Sequence, residues 1–150
     1  LVVFEGEGSG FSSFQPAALE GGKLQTVAVT TLDELVPADQ ARRVSLVKID
    51  VEGAEARVIT GAGGLIASAR PDILIEVEES HLARQGASVR ELRSVAEAAG
   101  YEAYRVRWDG AGNVVLVPED DWVRPSPTPN LFLTAEPDRA RAAGVVLLGG

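Results

Sequence analysis

The side chains able to do chemistry in this chain are almost all carboxylates. There is no Cys, which excludes thiolate nucleophiles, thiolate metal sites and disulfides, and His81 is the single imidazole. A Ser-His-Asp triad would have to be built on it. The carboxylates fall in two groups. Asp50 and Glu52 follow the apolar run Val44–Ile49, and Glu76, Glu78 and Glu79 end or follow the run Ile73–Val77. Carboxylates crowded at neighbouring strand ends can share a proton, bind a divalent cation or accept a proton from a substrate hydroxyl. Glu52 and Glu55 also stand at the start of a helical pattern, where the dipole favours negative charge. Asp50 and Glu52 therefore have two open readings, as helix caps and as functional groups. Glu76 and Glu78 are candidates for substrate contact, as is His81 in what reads as a loop.

The elements that must position these groups are legible in the patterning. Leu1–Phe4 reads as a strand and Gly6-Glu7-Gly8-Ser9-Gly10 as a turn. Gln25–Thr30, alternating and β-branched, reads as a second strand. Thr31 and Glu34 have capping-box spacing and predict a short helix from Leu32 to about Val36, followed by a loop from Pro37. Val44–Asp50 is a nearly continuous apolar run, as in a strand buried on both faces. Ala54, Val58, Ala62, Leu65 and Ala69 recur at helical spacing up to Pro71. Gly61, Gly63 and Gly64 predict a loosened helix there, or close packing against the sheet. Ile73–Val77 reads as the second buried strand. Ser88 and Glu91 predict another capping box, opening a helix with Val89, Leu92, Val95, Ala96 and Ala99 on its core face and Gly100 at its end. Tyr101–Arg107 and Val114–Val117 read as a hairpin turning at Asp109–Asn113, and Leu131–Leu133 as a last strand. The tail from Pro137 suggests a short helix.

Two buried strands, each followed by a helix and another strand, predict an α/β fold with parallel pairing through right-handed crossovers and an antiparallel edge. Ligands of such sheets bind beyond the strands' carboxyl ends, where Asp50 and Glu76 lie. Lys48, inside its strand, is expected to pair with Glu76. Tyr101, Tyr104 and Trp108 are expected to pack rather than bind. The 150 residues suit one domain: 1–43 as an insertion hairpin and short helix, 44–135 as a sheet flank, 136–150 as a tail. A net charge of −8 argues against a nucleic-acid partner, and no apolar stretch has the length of a membrane span. The chain lacks Met and opens inside an apolar run, so the N-terminal half of the domain is expected to be missing.

Thr31-Leu32-Asp33-Glu34-Leu35, then Leu46-Val47-Lys48-Ile49-Asp50-Val51-Glu52-Gly53-Ala54-Glu55, then Gly61-Ala62 and Arg70-Pro71-Asp72-Ile73-Leu74-Ile75-Glu76-Val77 resemble the FkbM-type methyltransferase family in content and order. The Lys-Ile-Asp-Val-Glu-Gly-Ala-Glu block is the specific part. Ser12-Ser13 matches a serine pair common upstream in that family. The resemblance implies a partial class I methyltransferase (Rossmann-like) sheet and S-adenosylmethionine as cofactor. It also implies a hydroxyl acceptor on a sugar, glycolipid or polyketide-type molecule. Cofactor-binding residues are then expected upstream of Leu1, and a cytoplasmic location is expected. Asp50 is the first candidate for catalytic base and Glu52 the second, with a cation shared between them as another use of Glu52; no metal is assigned. The Gly6–Gly10 turn imitates a methyltransferase glycine loop, but Phe4 stands where that loop's acidic residue belongs and no crossover helix follows. Asp50-Val51-Glu52-Gly53 imitates a haloacid-dehalogenase phosphatase motif, but Ala54 replaces its Thr. The alternative function is a non-catalytic acidic α/β interaction module.

Overall fold

The computed structural model describes residues 2–3, 23–24, 26, 28–123, 129–142 and 146–147. Strand β1 (Val2–Val3) pairs antiparallel with β2 (Lys23–Leu24). The glycine turn and the serine pair lie outside the described residues. Of the strand expected over Gln25–Thr30, Gln25 and Val27 lie outside the described residues, and Ala28–Thr30 is irregular and exposed. The cause is local. Thr30 Oγ1 donates to Glu34 at 2.7 Å, which draws this segment into the cap of the next helix, and β propensity without a partner strand does not make a strand.

Helix α1 (Leu32–Leu35) opens with the full capping box: Glu34 N–H donates to Thr31 Oγ1, and Thr31 N–H to the Glu34 carboxylate. Where a loop is expected after Pro37, a second short helix, α2 (Ala38–Ala41), forms, because proline at a helix start costs no hydrogen bond. Strand β3 (Leu46–Ile49) follows. The single amphipathic helix expected next is two, α3 (Glu55–Thr60) and α4 (Gly63–Ala69), broken at Gly61-Ala62. Asp33 explains the restart, since its carboxylate accepts from Gly64 N and Leu65 N, both at 2.8 Å. Gly61 and Gly64 pack against the α1 segment rather than the sheet, since a Cβ on Gly64 would lie 3.2 Å from Asp33 and one on Gly61 3.3 Å from Thr31, while a Cβ on Gly63 would meet nothing within 4 Å.

Strand β4 (Asp72–Glu76) leads into α5 (Glu79–Arg84), so His81 sits on a helix and not in a loop. Helix α6 (Val89–Ala98) is capped by Ser88, which accepts from Glu91 N. Its buried residues are Val89, Leu92 and Ala96, and Gly100 at φ +79° turns the chain out of it. Strands β5 (Glu102–Trp108) and β6 (Val114–Pro118) form the expected hairpin, and Asp109 closes it by accepting from Ala111 N and Asn113 N. Strand β7 (Asn130–Thr134), helix α7 (Pro137–Ala142) and strand β8 (Val146–Leu147) complete the described chain.

The main sheet is mixed, in the order β3-β4-β7-β5-β6-β8. Strands β3 and β4 are parallel, with Val47 opposite Ile73 and Ile49 opposite Ile75. The expected antiparallel edge is in fact interior: β7 runs antiparallel between β4 and β5. Leu131, Leu133 and Thr134 are fully buried there, which suits a central strand. Consequently β4 and β5 run in the same direction without touching. The core joins the sheet residues Ile49, Ile73, Ile75, Leu131 and Leu133 to Ile59, Leu65, Leu82 and Leu92 of the helices. Strand β3 is not buried on both faces. Among the described residues it is the sheet's end strand, with Leu46 55% exposed and only Ile49 buried. Tyr101 and Tyr104 pack as expected, Tyr101 OH donating to the Pro71 carbonyl at 2.7 Å, whereas Trp108 is exposed. Among the described residues, no helix is long and apolar enough to cross a membrane.

The bond from α1 to the start of α4 is a cap made across 31 residues of chain. Replacing Asp33 by Ala is expected to cost about 1 kcal/mol, the usual worth of a cap. A urea melt checks this; an unchanged midpoint would show that α4 starts without it.

Candidate functional site

Parallel pairing brings Asp50 and Glu76 to the same end of the sheet, one residue past Ile49 and Ile75 respectively. Across that pairing each carboxyl bears on the other's hold on its proton, lowering it at Asp50 and raising it at Glu76. Lys48 decides which group stays charged. Its Nζ lies 2.6 Å from Asp50 Oδ2, and this bond holds the Asp50 carboxyl below the usual range. The expected Lys48–Glu76 pair is therefore replaced by Lys48–Asp50. Because β3 is half open, Lys48 needs no buried partner and reaches along its own face to the residue two places on. Glu76 carries the cost. Partial burial first, then the Asp50 charge, pushes its carboxyl up to about 7. Two neighbouring carboxyls with their affinities driven apart hold one proton near neutrality.

Glu52 and His81 complete the group. His81 Nδ1 lies 2.8 Å from Glu52 Oε2, within ion-pair distance. Ligand atoms of Glu52, Glu76 and His81 all lie within 4.8 Å of one another, and these are the described residues that could hold a metal ion. Glu52 reaches this place from a left-handed conformation, φ +55°, followed by Gly53 at φ +103°. Glu78 takes a different part: it stands at the N-cap of α5, with a long 3.5 Å bond from Ser80 N, and no contact ties it to the cluster. The structure thus gathers Asp50, Glu52, Glu76 and His81 and leaves Glu78 aside.

Two residues escaped the sequence reading. Gly53 lies so close to α5 that a Cβ would fall 2.1 Å from the His81 carbonyl oxygen. Glu55, read from the sequence only as a helix-dipole acid, is buried and bonds backward into the turn that carries Glu52. The Glu-Gly step before a helix was the available signal for such a turn. A cavity of about 470 Å³, lined in part by Arg93, Tyr104, Glu119, Trp122 and Arg141, opens beside the start of β5. Glu102 pairs with Thr134 and Leu133 with Ile73, so this cavity is at the opposite end of the sheet from the carboxylates and takes no part in their chemistry.

Residues 3–103 match the family model described as the methyltransferase FkbM domain. No curated protein and no solved structure matches the chain.

The raised affinity of Glu76 for its proton has a thermodynamic consequence. The folded state prefers the protonated form, so this group favours folding fully below its ordinary value of 4.5, and that contribution is lost as pH rises to about 7. Replacing Glu76 by Gln is expected to raise the melting temperature at pH 8 and leave it unchanged at pH 4. Equal melting temperatures of both proteins at pH 8 would show that Glu76 ionises without penalty.

Proposed function

Because the chain belongs to the FkbM methyltransferase domain family, we propose that Asp50 and Glu76 form the base of an S-adenosylmethionine-dependent O-methyltransferase. The acceptor in this reading is a hydroxyl of a sugar, glycolipid or polyketide-type molecule. The observation that carries it is the carboxyl pair at the tips of two adjacent parallel strands, where ligands of such sheets bind.

The residues suit the reactive end of such a donor. A sulfonium is cationic, and Asp50 and Glu52 supply negative charge to answer it, joined by Glu76 once its proton has left. Bound S-adenosylmethionine supplies an activated methyl group; everything else is alignment and proton management. An alcohol is a poor nucleophile until its proton leaves. A carboxyl pair that gives up its second proton near 7 is a matched acceptor for that proton, better than an isolated Asp of ordinary affinity. Asp50 takes the hydroxyl hydrogen bond, Glu76 shares the proton, and Lys48 keeps Asp50 ionised. Glu52 and His81 face the same space and orient the acceptor.

Release of S-adenosylhomocysteine by the intact enzyme with hydroxyl acceptors tests this. With the deprotonated pair active, kcat/KM should climb about tenfold per pH unit below 7 and level off above it. Replacing Asp50 by Asn should lower turnover by about 100-fold or more with the fold intact. Near-normal turnover would remove Asp50 from the mechanism.

A further inference from the structure

We infer that Glu55 is a positioning residue of this site, clamping the turn that presents Glu52 to His81. The inference rests on the methyltransferase reading for what the site does, but not for the clamp itself. Glu55 is the first residue of α3, where an acid ordinarily faces solvent and answers the helix dipole. Here it is 3% exposed. Its Oε1 accepts from Gly53 N at 3.0 Å and, more distantly, from Val51 N at 3.4 Å, both in the turn before the helix. Oε2 is buried with no hydrogen-bond partner, so the turn, rather than any second contact, accounts for the orientation.

The turn needs such an anchor. A non-glycine side chain is strained in the left-handed region, and Glu52, at φ +55°, sits there. Consecutive N–H groups around a left-handed residue converge into a concavity that suits an anion, which is the role the Glu55 carboxylate plays. With the chain bent this way, Glu52 Oε2 stands 2.8 Å from His81 Nδ1. Gly53, with no Cβ to collide, lets the His81 carbonyl close over the turn. Glu55 bonds to Val51 N and Gly53 N and not to His81 or the Asp50–Glu76 pair, so it acts through Glu52.

His81 is the chain's single histidine, so its imidazole ¹⁵N spectrum is unambiguous. The spectrum is compared at neutral-ring pH in the unaltered chain, Glu55→Ala, Glu55→Asp and Glu55→Gln. Glu52→Ala defines a ring without its carboxylate. We expect the unaltered chain to show the Nδ1–H tautomer. Glu55→Ala and Glu55→Asp, the latter too short to reach both amides, should give the Glu52→Ala spectrum while amide signals of β4 and α6 stay in place. Glu55→Gln, which keeps an acceptor oxygen at the same reach, should restore the unaltered pattern. Retention of the Nδ1–H pattern in Glu55→Ala or Glu55→Asp overturns the clamp, as does its loss in Glu55→Gln. No methyl donor or acceptor enters the measurement, so a chain that proves not to be a methyltransferase leaves this result standing.

Discussion

Parallel pairing of β3 with β4 imposes a condition on everything around it. With Ile49 opposite Ile75, both strands end at the same level, and the next residues outward are carboxylates, Asp50 from one and Glu76 from the other. Strands stand about 4.8 Å apart, so the two groups cannot avoid each other. The repulsion is resolved asymmetrically. A lysine on the open face of β3 stabilises one charge, and the other group, half-buried, keeps a proton. An antiparallel arrangement of the same two strands would have placed the acids at opposite ends and removed the chemistry.

The rest of the molecule holds that end of the sheet still. Helix α5 begins immediately beyond β4 and carries His81 against Glu52; α3 begins immediately beyond the Asp50 turn and tucks Glu55 beneath it. Carboxylates perform much of this work. Asp33 starts α4, Glu34 closes the box on α1, Glu55 holds the turn, and Asp109 closes the β5–β6 hairpin. A share of the net charge of −8 is thus spent on backbone N–H groups, a local structural use, and not on attracting a cationic partner. What distinguishes Asp50 and Glu76 from these acids is that they face each other at the ends of adjacent strands.

Local patterning carried most of the architecture. The runs ending at Ile49 and Val77, the boxes at Thr31 and Ser88 and the hairpin at Asp109 are short-range signals, and the strands and helices sit where these place them. Of the features that were not legible, three have a long-range reason. The insertion of β7 between β4 and β5 depends on pairing across more than fifty residues, which periodicity does not encode. The break between α3 and α4 depends on Asp33, far back in the chain. The choice of Lys48 for Asp50 depends on β3 lying at the end of the described sheet, so an apolar run read as doubly buried is half open. For the site, residue types and strand ends were enough to select Asp50, Glu52, Glu76 and His81. They were not enough to separate Glu78, a cap, from Glu76, two residues earlier, because alternation along a strand stops where the strand does.

The central claim is that strand pairing forces Asp50 and Glu76 to share one proton near neutral pH. Titrating the Glu76 side-chain carboxyl carbon by ¹³C NMR tests it most directly. The account predicts a midpoint near 7 in the unaltered chain, moving toward the ordinary value of 4.5 once Asp50 is replaced by Asn. A Glu76 midpoint close to 4.5 with Asp50 in place would contradict it, whatever activity the protein shows.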